Sequence, residues 1–206
     1  MNDAQFLASL PVERRLALSY APARSRGLWL GLFALDVRLG GVVSEAREPM
    51  LAQIKLAWWR EELSKPVQSR RKGEPLLALL DAWGDEGAAL AALIDGWEVL
   101  LGGEKLGSDQ IEAVLAARGA ACLALAAKLR IPDDGVDQAA RGWAATELAP
   151  MAAAPVPRDW PRIALPREMR PLQVLYGLAA RRRGQMPLLS GPIAALAAVR
   201  LGLLGI

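Results

Sequence analysis

The sequence predicts an all-α fold, one helical bundle running through residues 1–206, and three observations carry that prediction. Ala and Leu dominate, strand formers are sparse, and Thr146 is the only threonine. Apolar residues recur at helical spacing almost without interruption, and the interruptions are Pro and Gly. The chain is 53% hydrophobic and 23% charged, with mean hydropathy +0.19, which excludes extensive disorder. A chain of 206 residues should bury roughly 70% of the surface its unfolded form exposes, so no disulfide or metal staple is required.

In chain order, helices are predicted near 4–19, 23–45, 49–63, 74–83, 86–101, 108–130, 134–149, 167–183 and 190–203. Pro49 suits a first turn, where its missing N–H costs nothing. Ser108 and Asp133 each precede an apolar-periodic run and are expected to act as N-caps. The stretch 150–166 carries Pro150, Pro155, Pro157, Pro161 and Pro166 and is expected to be extended. In 47–63, Leu51, Ile54 and Trp58 mark one apolar stripe, while Leu56, Trp59 and Leu63 mark another. A helix apolar on two sides is expected to lie centrally. Glu61 and Lys65 stand at i,i+4 near its end. Trp58 and Trp59 read either as ordinary core or as a wall for an isoprenoid or aromatic ligand.

The segment 186–206 is the most apolar end of the sequence. Pro187, Gly191, Pro192 and Arg200 argue against a membrane span there, leaving packing onto the bundle or attachment to a membrane surface. The opening MNDAQFLASLPVERR lacks a cationic region followed by an apolar one, so no signal peptide is expected.

Composition also excludes chemistries. With no histidine, a Ser-His-Asp or Cys-His apparatus and any His-ligated zinc or iron site are ruled out. The single cysteine, Cys122, lies in the run ACLALAAKL and is expected to pack as a small hydrophobe. Net charge is +3, with basic runs at Arg70-Arg71-Lys72 and Arg181-Arg182-Arg183. These suit a solvated face or helix end, or contact with an anionic membrane surface or diphosphate. A nucleic-acid binder would show a denser basic stripe with interleaved aromatics, so no nucleic-acid partner is expected.

The AP-x-R pattern at 21–24, GLFAL at 31–35, EPMLAQIKLAWWREEL at 48–63 and LIDGWEVLL at 93–101 together resemble the squalene/phytoene synthase family. They resemble in particular the branch containing a phytoene-synthase-related assembly factor of respiratory complex I. The similarity continues weakly through RIALPRE at 162–168. The resemblance implies a bundle of the isoprenoid (trans-prenyl diphosphate) synthase type around a central cavity. Active members join two prenyl diphosphates head to head, using two aspartate-rich helical motifs that hold magnesium. Magnesium requires hard oxygen ligands, and carboxylates one turn apart on a helix face supply them.

Aligned on Phe33-Ala34-Leu35, the first motif falls on Gly40, Gly41 and Ser44; counted back from 161–166, the second falls on Ala153 and Pro157. None is a carboxylate, so both halves of the magnesium clamp are expected to be lost. Asp36 stands one turn before the first position, and Asp36, Glu45 and Glu48 do not rebuild the spacing. Asp133-Asp134-Gly135-Val136-Asp137 matches an aspartate-rich pattern literally but begins a helix after Pro132, where capping explains it. Asp95, Glu98 and Glu147 are expected on solvated faces or in local pairs. Tyr20, Arg24, Phe33 and Arg60, with Trp58 and Trp59, are the candidate cavity residues.

The expected function is a non-catalytic family-like protein that binds an isoprenoid, another lipid or a protein partner, the last in respiratory complex I assembly. It needs no cofactor or metal, and its expected location is cytoplasmic or peripheral to the inner membrane. The alternative is a magnesium-dependent prenyltransferase with rearranged ligands. A third expectation is a helical scaffold touching partners or membranes. A cavity lined by Trp and Leu favours lipid binding, and a filled core favours the scaffold.

Overall fold

The structure is a computed structural model that describes residues 3–102, 106–152, 160–182 and 187–205, and among these it is all-helical. Ten α-helices follow one another: α1 Asp3–Ser9, α2 Val12–Ser19, α3 Ala23–Ser44, α4 Pro49–Ser64, α5 Pro75–Leu80, α6 Ala91–Glu98, α7 Ser108–Leu129, α8 Val136–Ala152, α9 Arg170–Arg181 and α10 Gly191–Leu204.

The breaks lie where backbone chemistry puts them. The helix expected over 4–19 is two, because Pro11 stands just before α2 at φ −52 and ψ 149, an extended conformation. Pro49 occupies the first turn of α4, as expected. Between α5 and α6 the chain runs as 3-10 turns over Asp81–Leu90, kinked at Gly84, whose φ of 61 and ψ of −143 favour glycine. Buried Arg70 secures that kink, its Nη2 donating to the Gly84 carbonyl at 3.0 Å. The first basic run is therefore not simply a solvated face.

Two expected caps move. Gly107, not Ser108, precedes α7, and Gln110 Oε1 accepts from its N–H at 3.0 Å. Helix α8 starts at Val136, after a turn in which Gly135 takes φ +75, so Asp133 lies three residues upstream of it. Helix α8 also runs on through Pro150, which the sequence had placed in the extended stretch.

Helix α9, not α4, is the most enclosed helix: Pro171 through Ala179 are all buried. It packs against α2, α8 and α10. It also holds an extended strap in place. Gln173 accepts from the Leu165 N–H and donates to the Ile163 carbonyl, both at 3.0 Å, and the Tyr176 hydroxyl donates to the Pro161 carbonyl at 2.8 Å. Helix α4 uses only one of its stripes in the core. Ala52, Leu56, Trp59 and Leu63 are buried, whereas Met50, Leu51 and Ile54 are exposed. The reason is a missing neighbour: α4 packs against α3, α6 and the 81–90 turns, and its other flank borders a groove.

Helices α3 and α7 are long and apolar enough to cross a membrane by length and composition. Their apolar windows are 56% and 44% buried inside the bundle. Each also carries a charged residue, Asp36 and Arg118, that is buried there. That pairing of charges defines the centre of the molecule.

Candidate functional site

Two arginines and two carboxylates meet between α2, α3, α7 and α8. Arg14 Nη1 lies 2.8 Å from Asp36 Oδ2, and Arg14 Nη2 lies 2.9 Å from Glu147 Oε2. Arg118 repeats the pattern, with Nη2 at 3.1 Å from Asp36 Oδ2 and Nη1 at 2.8 Å from Glu147 Oε2. Indoles take the remaining carboxylate oxygens: Trp97 Nε1 donates to Asp36 Oδ1 at 2.7 Å, and Trp143 Nε1 donates to Glu147 Oε1 at 2.8 Å. Both guanidinium carbons stand 5.0 Å from the Trp143 ring centroid. The result is a neutral ionic box that ties five helices together, since Trp97 comes from α6.

Burial alone would push both carboxyls up, but Arg118 and Arg14 hold Asp36 below its ordinary value of 3.8. The same balance holds Glu147 below 4.5, with Arg14 and Arg118 outweighing burial and the like charge of Asp36. Burial works against the Arg14 charge as well, yet Glu147 and Asp36 keep its guanidinium above its ordinary range. Both carboxylates therefore stay ionised at neutral pH. Arg14 Nε, Arg14 Nη1 and Arg118 Nε find no aligned hydrogen-bond acceptor, so the Arg14–Asp36 contact is ionic rather than a directed hydrogen bond.

This arrangement does not fit magnesium. Three of the four carboxylate oxygens accept hydrogen bonds, and the fourth, Asp36 Oδ2, lies within 3.1 Å of both guanidinium groups as an ionic contact without an aligned hydrogen bond. The adjoining void, between Leu32, Phe33, Cys122 and Trp143, measures about 10 Å³, room for one water at most. Cys122 is buried as expected, and burial pushes its thiol up to about 12. Among the described residues no three acidic or thiol groups gather closely enough to hold a metal ion.

A second feature opens at the side. A groove of about 930 Å³ runs between α3 and α4, with Phe6 of α1 also lining it. Leu51, Ile54, Trp58 and Trp59 form its α4 wall; Ala34, Val37, Gly41 and Val42 form the α3 wall. Trp58 and Trp59 meet edge to face at 4.9 Å between centroids. Arg38, Arg47 and Lys55 stand on the rim with Glu45, Glu48 and Glu74, so its formal charges cancel. Glu74 is engaged as a cap, accepting from the Leu76 N–H at 3.2 Å.

The residues singled out from sequence do not converge on one place. Trp58, Trp59 and Gly41 line the groove. Phe33 is fully buried against Trp29 and Trp143, under Arg14. Arg60 crosses to α6, its Nη2 lying 2.6 Å from both Asp95 and Glu98, so these acids pair with a residue 35 and 38 positions away rather than locally. Arg24 is exposed and pairs with Glu168 at 2.5 Å. Tyr20 packs over Gly202 of α10 so closely that a Cβ there would collide with its ring.

Of the motif positions, Ser44 is exposed and donates to the Gly41 carbonyl at 3.4 Å, while Ala153 and Pro157 lie outside the described residues. Gly40 has no room for a side chain, because a Cβ would come 2.9 Å from the Trp97 ring. That ring is the one bonded to Asp36, so an aspartate at 40 would require the Trp97 indole to shift at the box.

Sequence reasoning missed Arg14, Arg118, Trp97 and Trp143, and it set Glu147 on a solvated face or in a local pair, whereas its partners Arg14 and Arg118 lie 133 and 29 residues away. The signal was there in part. Asp36 in GLFALDVRL and Arg118 in VLAARGAACL are lone charges inside apolar helical runs, and a buried charge requires a partner.

Comparison with models of protein families, with curated proteins and with solved structures returns no match to this chain.

Proposed function

We propose that the chain is a non-catalytic protein of squalene/phytoene-synthase type that binds an isoprenoid or another lipid in the groove between α3 and α4. One observation carries this reading: the centre of the bundle is closed by the Arg14–Asp36–Arg118–Glu147 box, while a tryptophan-walled groove stays open beside it. Small-molecule sites typically occupy about 300–1,000 Å³, and the groove's volume falls within that range.

The prenyltransferase alternative gains no support from these residues. Ionisation of a prenyl diphosphate requires metal-bound carboxylates at the diphosphate, and the two carboxylates at the centre of the bundle, Asp36 and Glu147, are committed to arginines. The rim acids Glu45, Glu48 and Glu74 do not gather at one point.

Because the rim charges cancel, the hydrocarbon supplies most of the affinity and the head group little. The test is calorimetric titration with farnesyl and geranylgeranyl diphosphate, in magnesium and again in EDTA, with farnesol as a third ligand. Expected are micromolar binding that ignores magnesium, similar affinity for the alcohol, no product, and roughly tenfold weaker binding by Trp58→Ala. Magnesium-dependent binding with product would restore the prenyltransferase reading. Absence of binding would leave the groove to a protein helix, for which the exposed Leu51 and Ile54 of its α4 wall are suited.

A further inference from the structure

Helix α10 is packed on one side only. Its inner face, Ala198, Leu201 and Gly202, is buried, with Leu201 over Gly177 of α9 and Gly202 under Tyr20. Its outer face is apolar and uncovered: Ile193 is 82% exposed, Leu196 71% and Leu203 67%, with Val199 and Leu204 beside them. At i, i+3 and i+10 the first three lie along one stripe of the helix, and Arg200, at i+7, sits in the middle of that stripe.

The sequence leading into this helix is strongly basic. From Arg162 to Arg200 the chain carries seven arginines and a single acid, Glu168, which is already paired with Arg24. Arg181, exposed at the end of α9, lies near enough to Arg200 that burial and this second positive charge both push its guanidinium below its ordinary range. Arg170 closes over Gly205 at the C-terminal end of α10, where a cation complements the helix dipole.

From this arrangement we infer that α10 docks on an anionic lipid surface, lying in the plane of the interface with Ile193, Leu196 and Leu203 inserted and Arg200 and Arg181 at the phosphates. Such a surface supplies what the face lacks, namely apolar depth for the leucines and isoleucine and negative charge between two like-charged arginines. Arg200 reaches the head groups by extending its stem along the apolar stripe. A second copy of the chain is a poorer occupant. Twofold pairing of α10 with itself would bring two Arg200 side chains together, and the helix has no acid to answer them.

The inference is independent of groove binding, which is measured with soluble prenyl diphosphates and no vesicles. Flotation of the full chain with vesicles of phosphatidylcholine, alone or containing phosphatidylglycerol, tests it. The chain is expected to float with the phosphatidylglycerol vesicles and only weakly with neutral ones, less so as salt rises. Arg200→Ala weakens binding about fivefold, and the pair Ile193→Ser with Leu196→Ser weakens it on the order of a hundredfold. All three side chains are exposed, so circular dichroism melts of these variants should match the parent. Failure to float with anionic vesicles overturns the proposal, as does flotation unchanged by the Ser pair. A dimer in light scattering that the Ser pair dissolves, without vesicle binding, also overturns it and assigns the face to a second copy.

Discussion

Asp36→Asn removes one charge from the ionic box while keeping the shape of the side chain. The parent carboxylate is 3% exposed and lies within 3.1 Å of two guanidinium groups. Without its charge, Arg14 and Arg118 share Glu147 alone, and an interior that was neutral acquires a net positive charge. Removing one partner of a buried ion pair costs about 3–5 kcal/mol, and the lower end applies here because Asn still accepts from Trp97. For a chain of this length a loss of about 3 kcal/mol lowers Tm by roughly 6–12 °C. Urea denaturation followed by tryptophan fluorescence measures it directly.

The control replaces the whole box: Arg14→Met, Asp36→Leu, Arg118→Met and Glu147→Leu together. Apolar replacement of buried ion pairs is neutral or stabilising by about 1–4 kcal/mol. The two indole N–H groups left without acceptors offset it by about 1–3 kcal/mol each. The middle of these ranges is a net loss of about 2 kcal/mol, so the quadruple variant is expected to be somewhat more stable than Asp36→Asn although it lacks all four charged groups. A loss under about 1 kcal/mol for Asp36→Asn would refute a buried Asp36 held by two arginines, since an exposed pair is worth no more than that.

Acid should act on the same residues. Asp36 and Glu147 titrate below their ordinary values of 3.8 and 4.5, so their contribution to stability is full above about pH 4.5 and is lost as pH falls through their lowered values. Urea midpoints between pH 3 and 7 check this, and Asp36→Asn should flatten the acid limb. Gly40→Asp would push Trp97 off Asp36 and destabilise the chain by about 1–3 kcal/mol, without creating magnesium affinity in calorimetry. Cys122, buried and with its thiol pushed up to about 12, should resist a thiol-labelling disulfide reagent at pH 8 until urea unfolds the chain. Labelling of the folded protein within minutes would contradict that burial.

Local chemistry made much of this fold legible in the sequence. Helical periodicity and the positions of Pro22, Pro49 and the proline-rich strap are short-range properties, and α3, α4, α7 and α9 fall close to where they are expected. The packing of Cys122 suits the apolar run around it, whereas Arg60, expected at a cavity, pairs instead with Asp95 and Glu98 from another helix. Tertiary structure alone decided which of two apolar stripes on α4 would be buried, because a stripe becomes core only when another helix arrives to cover it. It also decided that Asp36 and Glu147, from distant helices, would be neutralised by Arg14 and Arg118. Periodicity reports which face of a helix is apolar, but the partner of a lone charge depends on which helices cross, and here the nearest of those partners is 29 residues away.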